Sequence, residues 1–242
     1  MVGTETETFV VRAGPRRILF FVLLTAVLLV VELHIARNFL IDGHREPILG
    51  LVWWPLALLL IGVTILWPFI ASTLAMRIEV GATTLKLRIP RYEGIPGLRW
   101  IRREIPYSEI KAVERRDEII RIGSLTTIQT VTAIQTVYSI VAANGQRIVL
   151  GCTSPLTRWN YPFEDAAKRV AAKSNLAVAD RGCVRLRGLL STMLRGAPSW
   201  ETASVGDDER AAAQRATPRV WRLAFFTLLV LAAVWVLNWL QG

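Results

Sequence analysis

The stretch MRIEVGATTLKLRI, Met76–Ile89, decides how the central part of this chain folds. Apolar and polar residues alternate from Met76 to Val80 and again from Thr84 to Ile89, with Gly81-Ala82 between them. A period of two places the apolar side chains on one face of a strand, and glycine favours the intervening turn. The stretch therefore predicts two neighbouring antiparallel β-strands.

Further strand signals follow this pair. Short alternating or β-branched segments occupy Trp100–Ile105, Ile110–Arg115, Glu118–Ile122 and Thr126–Ala142. Asn144-Gly145 then separates Tyr138–Ala142 from Arg147–Leu150, and Asn-Gly between apolar runs is a strong hairpin signal. These segments predict a largely antiparallel sheet.

The sheet pattern ends in a segment with helical spacing, Phe163–Asn175. Its small apolar residues lie on one face and its charged residues on another. The apolar face consists of Ala166, Ala167, Val170 and Ala171. Strands followed by one C-terminal helix suggest a small barrel or sandwich that the helix closes.

The nine residues Ile105-Pro-Tyr-Ser-Glu-Ile-Lys-Ala-Val113 resemble the I-x-Y-x-E-I-x-x-V pattern of bacterial pleckstrin-homology-like domains. The resemblance covers residues 76–178 and rests on loose hydrophobic patterns. It implies a seven-stranded, bent antiparallel sheet capped by one helix, in proteins that often carry two N-terminal membrane helices. The wider superfamily binds phosphoinositides or proteins. The chain has no basic loop matching a phosphoinositide motif, and a fold alone does not assign a function.

Three long apolar runs surround this domain: Ile18–Ala36, Ile48–Ala71 and Trp221–Leu240. At 1.5 Å per residue, each run is long enough to cross a hydrocarbon core of roughly 30 Å. The sequence therefore predicts three transmembrane helices plus a mainly antiparallel β domain. The predicted organisation is a tail (1–17), a transmembrane hairpin (18–71), the domain (76–178), an amphipathic segment with a linker (181–217) and a third transmembrane helix (218–240).

Basic residues at the ends of these runs predict the topology. Arg16 and Arg17 precede the first run, Arg77 follows the second, and Arg215 and Arg219 precede the third. Because Lys and Arg collect on the cytoplasmic side, the N-terminus and the domain are expected inside and the C-terminus outside. The expected localisation is a bacterial inner membrane.

The charge of the chain indicates an acidic partner. The net charge is +10, and residues 72–219 hold 23 Lys and Arg against 14 Asp and Glu. Anionic lipid headgroups attract each nearby Lys or Arg by about 1 kcal/mol. Nucleic acid is the competing interpretation, and the predicted tether to a bilayer favours lipid.

The best candidate headgroup site in the sequence is a set of six basic residues: Arg99, Arg102, Arg103, Lys111, Arg115 and Arg116. If Trp100–Ile105 is a strand, Arg102 and Arg103 point to opposite faces, so the six cannot share one patch. A solvated sheet face is the alternative interpretation.

A second candidate surface is the segment 181–195. It carries Arg185 beside apolar residues at helical spacing: Leu186, Leu189, Leu190, Met193 and Leu194. This pattern predicts a basic amphipathic helix, either in the headgroup plane or packed on the domain.

The remaining polar candidates are few. Glu32 and His34 lie inside the first apolar run, where ionisable residues are functional candidates, although pairing with Arg37 also explains them. We find no zinc helix, phosphate-binding glycine loop or nucleophile elbow, and expect no metal and no cofactor. The sequence therefore favours a non-enzymatic protein that binds anionic headgroups. A scaffolding module that docks another membrane protein and an enzyme acting on lipid or peptide are the alternatives.

Overall fold

A computed structural model describes residues 8–37, 60, 64, 67–92, 99–123, 130–153, 161–186, 199–200 and 205–216. The chain forms two compact units, Met1–Glu109 and Ile110–Gly242. Each unit contains a four-stranded β-sheet, and over both units together the described residues form more strand than helix.

The first unit contains a four-stranded antiparallel sheet in the order β1-β2-β3-β4. Its strands are β1 (Phe9–Arg12), β2 (Arg77–Val80), β3 (Thr84–Pro90) and β4 (Trp100–Pro106). The predicted alternation is confirmed in β3, where Leu85, Leu87 and Ile89 are buried and the residues between them face outwards. One face of this sheet therefore packs into the core of the unit, and the other carries polar side chains.

A short 3₁₀ turn, Tyr107–Glu109, follows β4 and fixes the β2–β3 turn. The buried hydroxyl of Tyr107 donates towards the carbonyl oxygens of Gly81 at 2.9 Å and Thr84 at 3.1 Å. Burial raises the pKa of Tyr107 to about 12. The tyrosine of the quoted nine-residue pattern thus locks the turn of the first hairpin.

This buried phenol makes the first unit sensitive to alkali. Because the folded pKa of Tyr107 lies above the unfolded value of 10.0, its stabilisation is complete below pH 10 and is lost as the pH rises towards 12. We expect unfolding in urea to become easier over this range, and the effect to shrink in Tyr107→Phe. Stability curves at several alkaline pH values measure it, and an identical pH dependence in both proteins would contradict it.

The helices α1 (Pro15–Ala36) and α2 (Trp67–Ala75) belong to the first unit. They meet where the indole Nε1 of Trp67 donates to the carboxylate of Glu32, at 3.0 Å from Oε2 and 3.1 Å from Oε1. Much of the apolar surface of α1 is exposed, up to 63% at Leu33.

The prediction of three transmembrane helices is wrong for the described residues. None of the helices among them combines the length and apolarity needed to cross a membrane. Most of the run Ile48–Ala71 lies outside the described residues, and α2 begins near its end, at Trp67. The run Ile18–Ala36 contains the hydrogen-bonded carboxylate of Glu32. The run Trp221–Leu240 lies outside the described residues. The inner-membrane localisation and topology therefore lose their support.

The second unit contains a mixed sheet in the order β7-β6-β5-β8. Its strands are β5 (Ile110–Gly123), β6 (Thr130–Ala142), β7 (Arg147–Thr153) and β8 (Val178–Leu186). The predicted Asn144-Gly145 hairpin is confirmed: it joins β6 to β7, with Gly145 at a φ of 79°. The strand β8 pairs with β5 in parallel, so this sheet is mixed, and its other two pairings are antiparallel, in line with the prediction of a largely antiparallel sheet.

The described part of the second unit also contains helical residues. The predicted helix is confirmed as α3 (Phe163–Lys173), with Ala166, Ala167, Val170 and Ala171 buried. Residues 207–216, the last described residues of the chain, are also helical (α4) and lie in the segment predicted as part of a linker.

The predicted amphipathic helix over residues 181–195 is wrong at its start. Arg181–Leu186 belong to β8, because pairing with β5 satisfies their backbone and buries Val184 and Leu186. Gly182, at a φ of 75°, lies in an irregularity that a regular helix would not contain. The other apolar residues of the predicted stripe lie outside the described residues: Leu189, Leu190, Met193 and Leu194.

Candidate functional site: a row of arginines across the first sheet

Four arginines stand directly opposite one another on the four strands of the first sheet. The register pairs Arg12 with Arg77, Arg77 with Arg88, and Arg88 with Arg102. Cross-strand partners lie on the same face of a sheet, and all four side chains are exposed. Because neighbouring strands are about 4.8 Å apart, the arginine row extends over about 14 Å.

The next row on this face shows how little negative charge balances the arginines. It contains Glu79, Lys86 and Glu104, which are also cross-strand partners. Glu79 is ion-paired with Arg77, and Glu104 lies 3.6 Å from the Nζ of Lys86 and accepts a 2.8 Å hydrogen bond from Thr84. Both carboxylates of this row are therefore engaged already.

The other three arginines form no ion pair with a carboxylate of the described chain. Arg88 lies 5.9 Å from the ring centroid of Trp100, close enough for a cation–π contact. Arg12 and Arg102 are exposed on β1 and β4, the two edge strands. Like charges directly opposite each other destabilise a sheet, so the row is arranged unfavourably unless an anion neutralises it.

The structure places the six sequence-predicted basic residues in different environments. Arg102 belongs to the arginine row, and Arg103 is paired with Leu87 on the opposite face, as the alternation predicted. Arg99 is exposed just before β4, where its carbonyl accepts a 2.8 Å hydrogen bond from the amide of Arg91.

The other three lie on β5 in the second unit. Lys111 is exposed beside a register shift, and Arg115 is ion-paired with Asp180 at 2.7 Å. Arg116 is completely buried and 2.6 Å from Glu118. Arg116 is therefore not accessible to a headgroup.

The remaining predicted residues also have defined places. Arg185 is exposed on β8 and pairs with Glu209 of α4, and Leu186 is buried in the same strand. His34 is part of α1, as is Glu32 with its bond to Trp67.

One face of the second sheet contains a buried network of ions. Glu114 joins both edge strands to β5, since it binds Arg147 of β7 at 2.9 Å and Arg181 of β8 at 2.6 Å. Beside it, Glu118 accepts hydrogen bonds from Arg116 and, at 3.0 Å, from Gln135. Each charged side chain of the network is therefore ion-paired with another member of the network.

Trp200 covers this network. Its ring lies 4.0 Å from the guanidinium of Arg116 and 5.1 Å from that of Arg147. Arg116 also donates a 3.0 Å hydrogen bond to the carbonyl of Ser199. We assign the network a structural role because Glu114, Arg116 and Glu118 are buried and bonded within it.

The opposite face of the second sheet carries a polar cavity of about 750 Å³ between α3 and α4. Its lining includes Arg115, Asp117, Tyr138, Glu164 and Arg210. Asp117 binds Arg210, Asp180 binds Arg115, and Lys168 lowers the pKa of Glu164 by hydrogen bonding to it. The charged lining residues named here are thus ion-paired already, and Asp165 is a further, exposed carboxylate of the lining.

Comparison with known proteins assigns the chain to no family. No protein-family model matches it, and neither a curated protein nor a solved structure is significantly similar.

Sequence reasoning missed three members of the arginine row. Arg77 and Arg88 could have been paired from the sequence, because the turn at Gly81-Ala82 sets the register that places them opposite each other. Arg12 gave no such signal: it was predicted in an N-terminal tail, whereas it ends a strand whose partner lies more than sixty residues further along the chain.

Proposed function

We propose that this chain is a non-enzymatic binding protein whose arginine row binds anionic lipid headgroups. The observation that carries the proposal is the register of Arg12, Arg77, Arg88 and Arg102 on one exposed sheet face. The row differs from the six residues suggested by the sequence, and only Arg102 is common to both sets.

The chemistry of guanidinium groups supports phosphate as the ligand. Arginine presents a planar fork of donors that binds phosphate oxygens bidentately, and it is more weakly hydrated than lysine. Neighbouring guanidinium groups repel one another by about 1 kcal/mol per pair in water, and a bound phosphate replaces this repulsion with attraction.

Vesicle binding tests the proposal. The full-length protein should co-sediment with vesicles of phosphatidylcholine and phosphatidylserine, and much less with vesicles of phosphatidylcholine alone. Binding should weaken when the salt concentration rises from about 0.1 M to about 1 M, since the Debye length falls from about 10 Å to about 3 Å. Equal binding to both vesicle types would contradict the proposal.

Point variants locate the site. Arg88→Gln should weaken binding to phosphatidylserine vesicles about fivefold, because one arginine near an anionic surface contributes about 1 kcal/mol. Arg103→Gln is the matched control: it removes the same charge from the same sheet, but on the opposite face. Equal losses in both variants would show that net charge, and not the arginine row, determines binding.

A further inference from the structure

The strand β4 forms one edge of the first sheet, at the end of the order β1-β2-β3-β4. Its inner side pairs with β3, and no strand of the described residues pairs with its outer side. Three consecutive residues at its centre are exposed, Arg102, Arg103 and Glu104, so the strand is open on both faces there. Every second residue of such an edge directs its N–H and C=O groups away from the sheet, where a further strand can bind to them.

The centre of β4 carries one incompletely paired charge of each sign. Arg102 and Glu104 are two residues apart and therefore point to the same side of the sheet. Arg102 has no carboxylate partner among the described residues. Glu104 contacts Lys86 and Thr84 through Oε1 in both cases, so its Oε2 has no donor in the described chain. A strand with a carboxylate opposite Arg102 and a guanidinium opposite Glu104 would pair both side chains.

A second copy of β4 meets this requirement. In an antiparallel pair centred on Arg103, with the same face of both sheets on one side, Arg102 of each copy lies opposite Glu104 of the other. On the opposite face, Ile101 of each copy lies opposite Ile105 of the other. A pair centred on Arg102 or on Glu104 would place that residue opposite itself, and like charges directly opposite each other destabilise a sheet. The register centred on Arg103 has a single like-charge contact, between the two copies of Arg103, against two opposite-charge contacts.

We propose that the chain forms a symmetric dimer in which two β4 strands pair antiparallel about Arg103. The pairing covers residues 101–105, because Pro106 has no N–H to donate. The two copies then share one sheet of eight strands, within the usual size of sheets, and both arginine rows lie on the same face of it. Because the interface is small, we expect a dissociation constant in the micromolar range. The dimer does not require the arginine row to bind an anion.

Charge exchange tests the register of the dimer. Sedimentation equilibrium of the full-length protein measures the dissociation constant. Arg102→Glu turns both opposite-charge contacts into like-charge contacts and should raise this constant about thirtyfold, which corresponds to about 2 kcal/mol. Glu104→Arg should have the same effect. The double variant Arg102→Glu/Glu104→Arg exchanges the two charges and should restore dimerisation.

The two single variants should also complement each other. In a mixture of Arg102→Glu and Glu104→Arg, every acidic residue at these positions of one chain faces a basic residue of the other. The mixture should therefore form heterodimers at concentrations where each variant alone is monomeric. Lys168→Glu is the control, since it changes the net charge as much as Arg102→Glu does, but at an exposed position of α3.

Cysteine crosslinking locates the two-fold axis. Cys183 is buried, so in the full-length Cys152→Ser protein an introduced surface cysteine is the accessible thiol. Arg103→Cys places the two Cβ atoms about 5 Å apart across the axis. Arg99→Cys places them about 27 Å apart, because eight residues of extended strand separate the two positions. A short bifunctional thiol reagent should therefore join two chains of Arg103→Cys and not two chains of Arg99→Cys.

Three results would overturn the proposal. The first is a protein that stays monomeric throughout the micromolar range. The second is a dimer that Arg102→Glu leaves unchanged, or that the double variant fails to restore, since its interface would then lie elsewhere. The third is crosslinking of Arg99→Cys as efficient as that of Arg103→Cys. Both charge-exchange positions are exposed, so each variant is expected to fold, and circular dichroism checks this.

Discussion

Replacing Arg116 with methionine should lower the free energy of unfolding of the second unit by about 3 to 5 kcal/mol. The side chains of Arg116 and Glu118 are both fully buried and 2.6 Å apart. Without its partner, the Glu118 carboxylate would retain its bond to Gln135 but lose the cation that compensates its desolvation. Urea unfolding followed by circular dichroism measures the loss.

The double variant Arg116→Met/Glu118→Leu distinguishes a lost charge partner from a lost contact. Replacing both members of a buried pair with apolar residues of similar volume is often nearly neutral, so the double variant should recover most of the stability. Lys86→Met is the matched control on an exposed ion pair and should cost less than about 1 kcal/mol. A double variant no more stable than Arg116→Met would refute this explanation.

Replacing Gly151 with alanine should destabilise the second unit by about 3 kcal/mol, at the upper end of the usual cost of overpacking. A Cβ on Gly151 would lie 2.2 Å from Cζ of Phe163 and 2.5 Å from both Cε atoms of the same ring. Phe163 is 4% exposed at the start of α3, so its ring has little room to move. The strand β7 or the helix would have to shift.

Two further variants identify the clash as the cause. In Gly145→Ala, in the β6–β7 turn, the new Cβ has nothing within 4 Å. This variant should lower the free energy of unfolding by only about 1 to 2 kcal/mol, the cost of placing alanine in a left-handed backbone conformation. Phe163→Leu should reduce the penalty of Gly151→Ala, so the two costs should not add. Strict additivity in urea unfolding would show that the ring is not responsible.

Local patterns predicted the elements that depend on local chemistry. The alternation in Met76–Ile89 gave β2 and β3, Asn144-Gly145 gave the second hairpin, and the spacing of small residues gave the buried face of α3. Each of these signals is contained in fewer than about fifteen residues, where side-chain period and turn chemistry decide the outcome.

The predictions that failed concern residues whose structure depends on partners distant in the sequence. Arg181–Leu186 fits a helical stripe, and its pairing with β5 decides that it is a strand. Arg116 was predicted as a surface cation, but its burial depends on Glu118 and on Trp200, more than eighty residues later. The long apolar runs led to the prediction of three transmembrane helices, but hydropathy alone does not establish how a run folds.

The pairing of β1 with β2 has a consequence for how the protein is synthesised. Phe9–Arg12 leave the ribosome before their partners, Arg77–Val80, which follow more than sixty residues later. Such long-range pairing slows folding, since the loop must close before its contacts form. The strand β1 can therefore join the first sheet only after β2 has been synthesised. Until then, the edge of β2 is open to other chains, and deleting the N-terminal residues would leave it open permanently.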